Sequence, residues 1–233
     1  YGGTIADSAG GAAGAASGDL GTVTVDGDAP DFTSCTATDD TYGIGEALSI
    51  TCTWDEAVVT SDGTLTLSNS DTASYASGTG TTALVFTTTI AEGDTDSSDL
   101  SVSSFGGTIA DSAGGAAGAA SGDLGAVIVD GDTPDISGAD ATDGDYGVGE
   151  ALVITVTFDE AVTVTGTPTI TLSNSDVASY TSGSTSTAIL FTTTIAQGDS
   201  TSSDLSVSSI QPTAGGATMK DGATNDISTT VTG

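Results

Sequence analysis

Residues 46–54 read EALSITCTW. Apolar side chains occupy every second position of this stretch and serine or threonine stands between them; the apolar set is Leu48, Ile50, Cys52 and Trp54. A period of two places alternate side chains on opposite faces of a β-strand. The same phase returns later in the chain at Leu152, Ile154, Val156 and Phe158. The stretch therefore predicts a strand with one buried and one hydroxylated face, present twice.

Short strands of this kind recur along the whole chain. Gly, Asp, Ser and Asn turns separate them at a spacing of about ten residues, which is typical of a β-sandwich. Further strands are predicted at 64–69, 72–77, 82–90 and 99–103, with counterparts at 168–173, 177–182, 187–195 and 204–208. Helix signals are absent from the sequence. The predicted fold class is all-β, with tandem immunoglobulin-like antiparallel β-sandwiches.

An internal repeat divides the chain. GGTIADSAGGAAGAASGDLG stands at 2–21 and recurs letter for letter at 106–125, an identity too long to arise by chance. Each copy leads to an Asp-Gly-Asp-x-Pro turn, at 26–30 and at 130–134, where proline discourages continuous sheet pairing. The predicted domains are a closing-strand region at 1–26, a first sandwich at 27–130 and a second sandwich at 131–233.

The segment before each of these turns predicts a closing strand. LGAVIVD at 124–130 follows a complete set of strands, whereas LGTVTVD at 20–26 precedes the first set. No equivalent of this strand follows the second set, so the second sandwich is predicted to lack it. If subunits are separate chains, we expect Leu20, Val23 and Val25 to form an assembly strand that completes the open sandwich of a neighbouring subunit, giving a head-to-tail polymer. If they are not, this region closes a preceding repeat, and the chain is a window on one longer protein.

The amino-acid composition limits the classes of partner that this chain can bind. The chain has thirty-two acidic residues, one lysine and no arginine or histidine, which gives a net charge of -31. Nucleic acid and anionic membrane surfaces repel such a chain, and no apolar run is long enough to span a bilayer. Divalent cations are the natural partner, because carboxylates repel one another until a cation arrives. The alternative is a saline habitat, in which charge only maintains solubility.

The acidic residues that recur in both repeats are the candidate Ca²⁺ ligands. Strand ends meet at a domain junction, where three or four carboxylates with backbone carbonyls complete a Ca²⁺ shell. The candidates are Asp26, Asp28, Glu46, Asp55, Glu56, Asp111, Asp130, Asp132, Glu150, Asp159, Glu160 and Asp221. No EF-hand loop is present. The competing interpretation is that they are solvated loop carboxylates.

The two cysteines, Cys35 and Cys52, align with Ala139 and Val156 of the second repeat. Apolar residues at the matching sites predict that both sulfurs face the core. A disulfide between them would stabilise the fold by roughly 3 kcal/mol and would indicate an oxidising, extracytoplasmic compartment. Two buried free thiols are the alternative.

Catalysis is not expected. Without histidine the chain lacks the commonest general base, and its serines and threonines have no activating partner. Asp55 and Glu56 are adjacent carboxylates, but neighbouring residues on a strand point to opposite faces and cannot flank one bond.

Several motifs together resemble a known family. DxxxP, YGxGEAL, ITxTFDEAV, GTPTITL and GTIxDxAG are similar to the bacterial immunoglobulin-like repeats of large secreted adhesins and surface fibre proteins. The resemblance is strongest at 130–221. It implies sandwiches strung in tandem and rigidified by Ca²⁺ near their junctions, with ligands at Asp26, Asp28, Asp111, Asp130, Asp132 and Asp221. Gly115 departs from the family pattern, which often has Asn there.

Two functions follow as hypotheses. The first is a non-enzymatic repeat unit of an extracellular filament or a cell-surface adhesin stalk, whose partner is another copy of itself or further repeats of one long chain. The second is an adhesin module that binds a glycan or a host surface. Such a site usually shows clustered aromatic residues or long variable loops. Here the tyrosines simply recur in both repeats, at Tyr42, Tyr75, Tyr146 and Tyr180, which favours a structural role for them.

Overall fold

The computed structural model describes residues 8–9, 21–118 and 121–230 of the chain. The predicted all-β class is confirmed, since the elements in these residues are strands apart from one 3₁₀ turn at Ala214–Gly216. No helix among the described residues is long and apolar enough to cross a membrane.

Sixteen strands make up this part of the chain. The first set is β1 (Phe32–Thr36), β2 (Asp40–Tyr42), β3 (Ala47–Val58), β4 (Thr64–Leu67), β5 (Thr72–Ser77), β6 (Thr81–Thr89), β7 (Ser101–Gly106), β8 (Gly122–Asp123) and β9 (Val127–Val129). The second set is β10 (Ile136–Ala141), β11 (Ala151–Thr165), β12 (Thr169–Leu172), β13 (Val177–Ser182), β14 (Ser186–Thr194), β15 (Val207–Gln211) and β16 (Thr218–Lys220).

The first set forms a curled antiparallel sheet. Its strand order is β1-β3-β6-β5-β4-β7-β8. The rings of Phe32 in β1 and Phe105 in β7 have centroids 5.8 Å apart, although four strands separate β1 from β7 in the sheet. The sheet therefore folds over itself in a sandwich-like arrangement. It encloses one cluster of buried apolar side chains that runs in sequence from Cys35 to Val129.

The second set repeats this plan. Its order is β10-β11-β14-β13-β12-β15, and β16 pairs with the end of β11. A separate core cluster runs from Ile136 to Ile227. The two clusters share no residue and are separated in sequence at 130–135. The domain limits 1–26, 27–130 and 131–233 stay predictions.

The long strand that begins at residue 47 shows why the sequence folds this way. Leu48, Ile50 and Cys52 are fully buried on one face of β3, and β11 repeats the alternation. Complete burial of one large apolar side chain contributes about 1.5–3 kcal/mol. Both strands continue past the predicted end through an irregularity in register, between Thr53 and Val58 in β3 and between Thr157 and Val162 in β11.

The predicted closing strand at 124–130 has an unexpected partner. Its central part, β9, runs parallel to β2, and on its other side Val129 forms an antiparallel bridge with Ser97. Val127 and Val129 of β9 are buried. The counterpart of β2 in the second repeat, residues 144–146, lies outside the strands. Among the described residues of the second repeat, no strand takes the place of β9.

Candidate metal centres

In the part of the chain that the structure describes, two groups of three carboxylates lie at equivalent places in the two repeats. Asp26, Glu56 and Asp111 form the first group, and Asp130, Glu160 and Asp221 form the second. Within each group, one carboxylate oxygen from every member lies within 4.8 Å of the others. Each group therefore joins the turn that precedes a sandwich to two residues of that sandwich. We call them the first and the second carboxylate cluster.

One aspartate in each cluster is buried and held by its own loop. Asp111 is 4% exposed, and its Oδ1 accepts hydrogen bonds from the N–H groups of Ala113, Gly114 and Gly115 at 2.6–3.0 Å. Asp221 is equally buried, and its Oδ1 accepts the N–H of Asn225 at 2.9 Å.

The second oxygen of each buried aspartate has no hydrogen-bond partner among the described residues. These atoms are Oδ2 of Asp111 and Oδ2 of Asp221. Leaving a buried carboxylate oxygen unpaired is costly unless another ligand satisfies it. A cation at the centre of each cluster would satisfy it, so the residues present fit a metal ion.

The glutamate of each cluster lies in the irregular part of a long strand, Glu56 in β3 and Glu160 in β11. The alternation of burial continues in phase through this part of both strands, so adjacent side chains lie on opposite faces. Asp55 points away from the cluster, because its carboxylate accepts the N–H of Asp31 at 2.8 Å. Glu56 joins Asp26 and Asp111 instead. Asp159 and Glu160 divide in the same way, with Asp159 accepting the N–H of Asp135 at 2.8 Å.

Electrostatics in the clusters favour a positive ligand. Burial, then the Asp130 and Asp221 carboxylates, raise the pKa of Glu160 to about 7. Desolvation and the neighbouring Asp221 and Asp96 raise the pKa of Asp130. Desolvation and the nearby Asp26 and Asp111 raise the pKa of Glu56. Like charges crowded in a partly dry site disfavour ionisation, and a divalent cation reverses that balance.

Four other candidates have different surroundings. The backbone carbonyl of Asp132 accepts the Nδ2 amide of Asn225 at 3.0 Å, and the backbone N–H of Asp28 is bonded to Asp26 Oδ1 at 3.3 Å. Glu46 and Glu150 lie in neither cluster. Each instead accepts a backbone N–H within its own turn, from Gly43 at 3.0 Å and from Gly147 at 2.6 Å.

Sequence reasoning missed two residues of the second cluster's surroundings. Asp96 raises the pKa of Asp130 by its charge, and its Oδ1 accepts the N–H of Gly131 at 2.8 Å. Asn225 contacts both the cluster and the preceding turn. Neither is an acidic residue present in both repeats, so the recurrence of acidic positions gives no sign of them. Asn225 stands at the position that matches Gly115 of the first repeat.

Cys35 and Cys52 form a disulfide. They are directly opposed partners in the β1–β3 ladder, and both are buried. Their counterparts Ala139 and Val156 are opposed in the same way. The predicted inward orientation is confirmed, and the disulfide is consistent with a compartment outside the cytoplasm.

The predicted assembly strand is only partly described. Leu20 lies outside the described residues, as does most of the region 1–26. Val23 is 61% exposed and Val25 is 87% exposed. These values are high for valine, which is usually buried.

The repeated tyrosines use their hydroxyl groups locally. Tyr42 and Tyr146 donate to the carbonyls of Thr38 and Thr142, at 3.2 and 2.7 Å. The hydroxyls of Tyr75 and Tyr180 accept the N–H groups of Thr79 and Ser184, at 2.9 and 3.1 Å. Each pair makes the same contact in both repeats, which fits a structural role.

Comparisons with known proteins add little. No protein-family model matches the chain, and no curated protein matches it in sequence. Among solved structures, the chain is similar to one described as a marsupial T cell receptor, with 12% sequence identity and a TM-score of 0.28 over 91% of this chain and all of that one. A likeness this weak carries no argument about function. The resemblance to bacterial surface repeats stays a prediction.

Proposed function

We propose that this chain is a structural repeat unit of an extracellular filament or adhesin stalk, in which divalent cations hold successive sandwiches in line. The unit acts through length and stiffness rather than catalysis. The single observation that supports this most strongly is the second carboxylate cluster, because it stands at the junction between the two cores and has an equivalent before the first core.

The junction forms hydrogen bonds with both sandwiches. The N–H of Asp130 donates to the carbonyl of Tyr42 in the first sandwich at 3.0 Å, while its carboxylate belongs to the second cluster. Asn225 of the second sandwich accepts the N–H of Ile44 at 2.6 Å and donates to the carbonyl of Asp130 at 3.2 Å. A short link bonded on both sides restrains the angle between two domains more strongly than a free linker does.

Calcium suits the clusters better than the transition metals. The donors are carboxylate oxygens with backbone carbonyls nearby, and no histidine or free thiol accompanies them. Hard oxygen ligands select Ca²⁺ or Mg²⁺. Ca²⁺ accepts an irregular shell of six to eight oxygens at 2.3–2.6 Å, whereas Mg²⁺ requires a compact octahedron. Ca²⁺ would neutralise the three carboxylates and cross-link the turn to the sandwich.

The disulfide and the charge fit the same setting. A buried cross-strand disulfide persists in oxidising compartments, and Cys35–Cys52 is such a bond. A net charge of -31 keeps a surface protein soluble. Extracellular Ca²⁺ is abundant enough to occupy sites of modest affinity. These three features together support a location outside the cell.

Removing calcium is expected to loosen the junction. In Ca²⁺ we expect the small-angle X-ray scattering of the whole chain to fit a single elongated arrangement of two sandwiches. In excess chelator the repelling carboxylates should broaden the distribution of interdomain distances. Mg²⁺ at the same ionic strength is the control for charge screening. Scattering curves that superimpose with and without Ca²⁺ would contradict the proposed role of the cation.

Asn225→Ala should loosen the same junction while keeping all three carboxylates of the second cluster, although it removes a 3.4 Å hydrogen bond from Asn225 Nδ2 to Asp130 Oδ1. The substitution removes the side-chain bonds to Ile44, Asp130 and Asp132. Residual dipolar couplings of the wild-type chain should fit one alignment tensor, and those of the variant should need two. Asn174→Ala is the matched control, because the side chain of Asn174 bonds within its own sandwich, to Asp176 and Ser200. A single tensor for Asn225→Ala would show that these bonds do not set the angle.

A further inference from the structure

The second sandwich carries a groove where the first sandwich carries β9. The groove has a volume of about 710 Å³ and runs between the 139–148 segment and the 195–207 segment, over the core residues Leu152, Ile154 and Leu172. In the first sandwich, the equivalent space is filled by β9, which pairs with β2 on one side. On the other side, β9 bonds to Ser97 and Leu100.

Burial differs between the two sandwiches where β9 is missing. Leu100 is fully buried under β9, whereas its counterpart Leu205 is 37% exposed. Val102 is 2% exposed, whereas its counterpart Val207 is only partly buried. Core residues away from β9, such as Leu65 and its counterpart Ile170, are buried alike. The groove therefore has an apolar floor, which includes the counterparts of residues that β9 covers in the first sandwich, and a polar, acidic rim.

The junction face next to the groove shows the same asymmetry. Gly43 is buried and Ile44 is half-buried, because the loop at 223–225 of the second sandwich covers them. Their counterparts Gly147 and Val148 are exposed, Val148 by 69%. In the first sandwich, β9 fills the place of the groove, and the neighbouring sandwich covers this face. In the second sandwich, none of the described residues takes the place of β9 or of the neighbouring sandwich on these two surfaces.

Residues 20–26 match the strand that this groove lacks. LGTVTVD differs from LGAVIVD at 124–130 in two places, Thr22 for Ala126 and Thr24 for Ile128. Both differences fall at exposed positions of the closing strand. The buried positions Leu124, Val127 and Val129 have identical counterparts in Leu20, Val23 and Val25. The segment at 20–26 therefore has the side chains the groove requires, in the phase it requires.

We propose that residues 20–26 of a second copy of this chain lie as a strand in the groove of the second sandwich. Val23 and Val25 enter the groove, and Thr24 faces solvent. The added strand runs parallel to 144–146, as β9 runs parallel to β2, and bonds to the backbone at Ser202 and Leu205. This proposal rests on the proposed function and names the partner at its head-to-tail joint.

The first carboxylate cluster explains why the partner is another copy rather than the same chain. Asp130 follows β9 in the first sandwich and belongs to the cluster of the sandwich that comes next. Asp26 is the last residue of the donated segment and belongs to the cluster of its own first sandwich. The donated strand is thus held in front of the first sandwich, and the groove lies at the far end of the second. A head-to-tail contact of this kind propagates unless a rotation closes it into a ring.

The charge of the chain opposes this contact. The donated segment ends in Asp26, and the groove is lined by six aspartates, Asp140, Asp143, Asp145, Asp176, Asp199 and Asp204. Such repulsion is screened within about 10 Å at 0.1 M ionic strength. We therefore expect assembly in moderate salt with Ca²⁺ and dissociation in low salt.

Intermolecular disulfide trapping tests the register. Thr41 pairs with Ile128 in the β2–β9 ladder, so Asp145 should lie beside Thr24 of the next copy. A mixture of two full-length variants, Thr24→Cys and Asp145→Cys, should give one covalent heterodimer on a non-reducing gel. The double variant should give a ladder. The control is Thr24→Cys with Gly144→Cys, because a one-residue slip points the side chain to the other face and should trap at least tenfold less. Equal trapping by both mixtures, or none by either, would overturn the proposal.

A non-covalent measurement separates this inference from the proposed function. Sedimentation of the wild-type chain should show masses rising in multiples with concentration. The double variant that carries Val23→Asp and Val25→Asp should remain monomeric, because assembly would bury two charges. The control variant Thr24→Asp should still assemble. All three positions are exposed, so folding is not at risk. A wild-type chain that stays monomeric, yet keeps its Ca²⁺-dependent scattering, would leave the proposed function standing and would refute the donated strand. The groove would then belong to another occupant.

Discussion

Asp221→Asn is expected to abolish calcium binding at the junction between the two sandwiches and to leave the first cluster intact. The asparagine oxygen can still accept the N–H of Asn225, which Asp221 Oδ1 accepts at 2.9 Å. Its amide places a donor where the unpaired Oδ2 stood, so it can bond to Glu160 and Asp130 but cannot ligate a cation. Isothermal titration calorimetry should show two bound Ca²⁺ per wild-type chain and one per variant.

Unfolding measurements on this variant should separate the stabilisation by bound Ca²⁺ from the effect of the Asp221 charge itself. A ligand that binds only the folded state stabilises it by about 2.7 kcal/mol at a hundred times its Kd. The wild type should gain roughly that amount at the second sandwich, while Asp221→Asn should gain nothing there. In chelator the variant should be at least as stable as the wild type, because one of three repelling charges is gone.

Asp111→Asn provides the matched control for the first cluster. It should remove the other calcium and leave the junction site unchanged, and the double variant should bind none. Two ions bound by Asp221→Asn with unchanged affinity would rule out the second cluster as the site. A wild-type melting temperature that does not change with Ca²⁺ would refute a structural role for the cation.

Removing the disulfide is expected to be the other large perturbation. Cys35→Ala with Cys52→Val substitutes the residues that the second sandwich has at the same opposed positions, Ala139 and Val156. The apolar packing is therefore preserved, and the variant should fold. The variant loses the constraint on the unfolded chain, about 3 kcal/mol for a closed loop of this length.

Denaturant unfolding measures that loss. The transition of the first sandwich should move to lower urea, and the transition of the second should stay in place, since its core shares no residue with the first. The wild type with reductant should shift like the variant. A shift no larger than the roughly 0.5 kcal/mol of an ordinary surface substitution would mean that the disulfide does not stabilise the native state.

The sequence by itself determined the strands and the inside of each sandwich. The alternation at 46–54 places Leu48 and Ile50 in the core, because a strand repeats every two residues whatever surrounds it. The internal repeat then carries the same assignment to Leu152 and Ile154. It also predicted that the cysteines face inward, since apolar residues replace them in the second copy. These properties are local, and a local pattern is sufficient to encode them.

Only the tertiary structure decided which carboxylates meet. The alternation places Asp55 and Glu56 on opposite faces of β3, but it carries no sign that Asp26 and Asp111 meet Glu56. Glu46, an equally good candidate in sequence, bonds to its own turn. Asn225 reaches Ile44 across 181 residues. Such contacts depend on how a sheet curls and how two sandwiches meet, and those distances are set by packing rather than by periodicity.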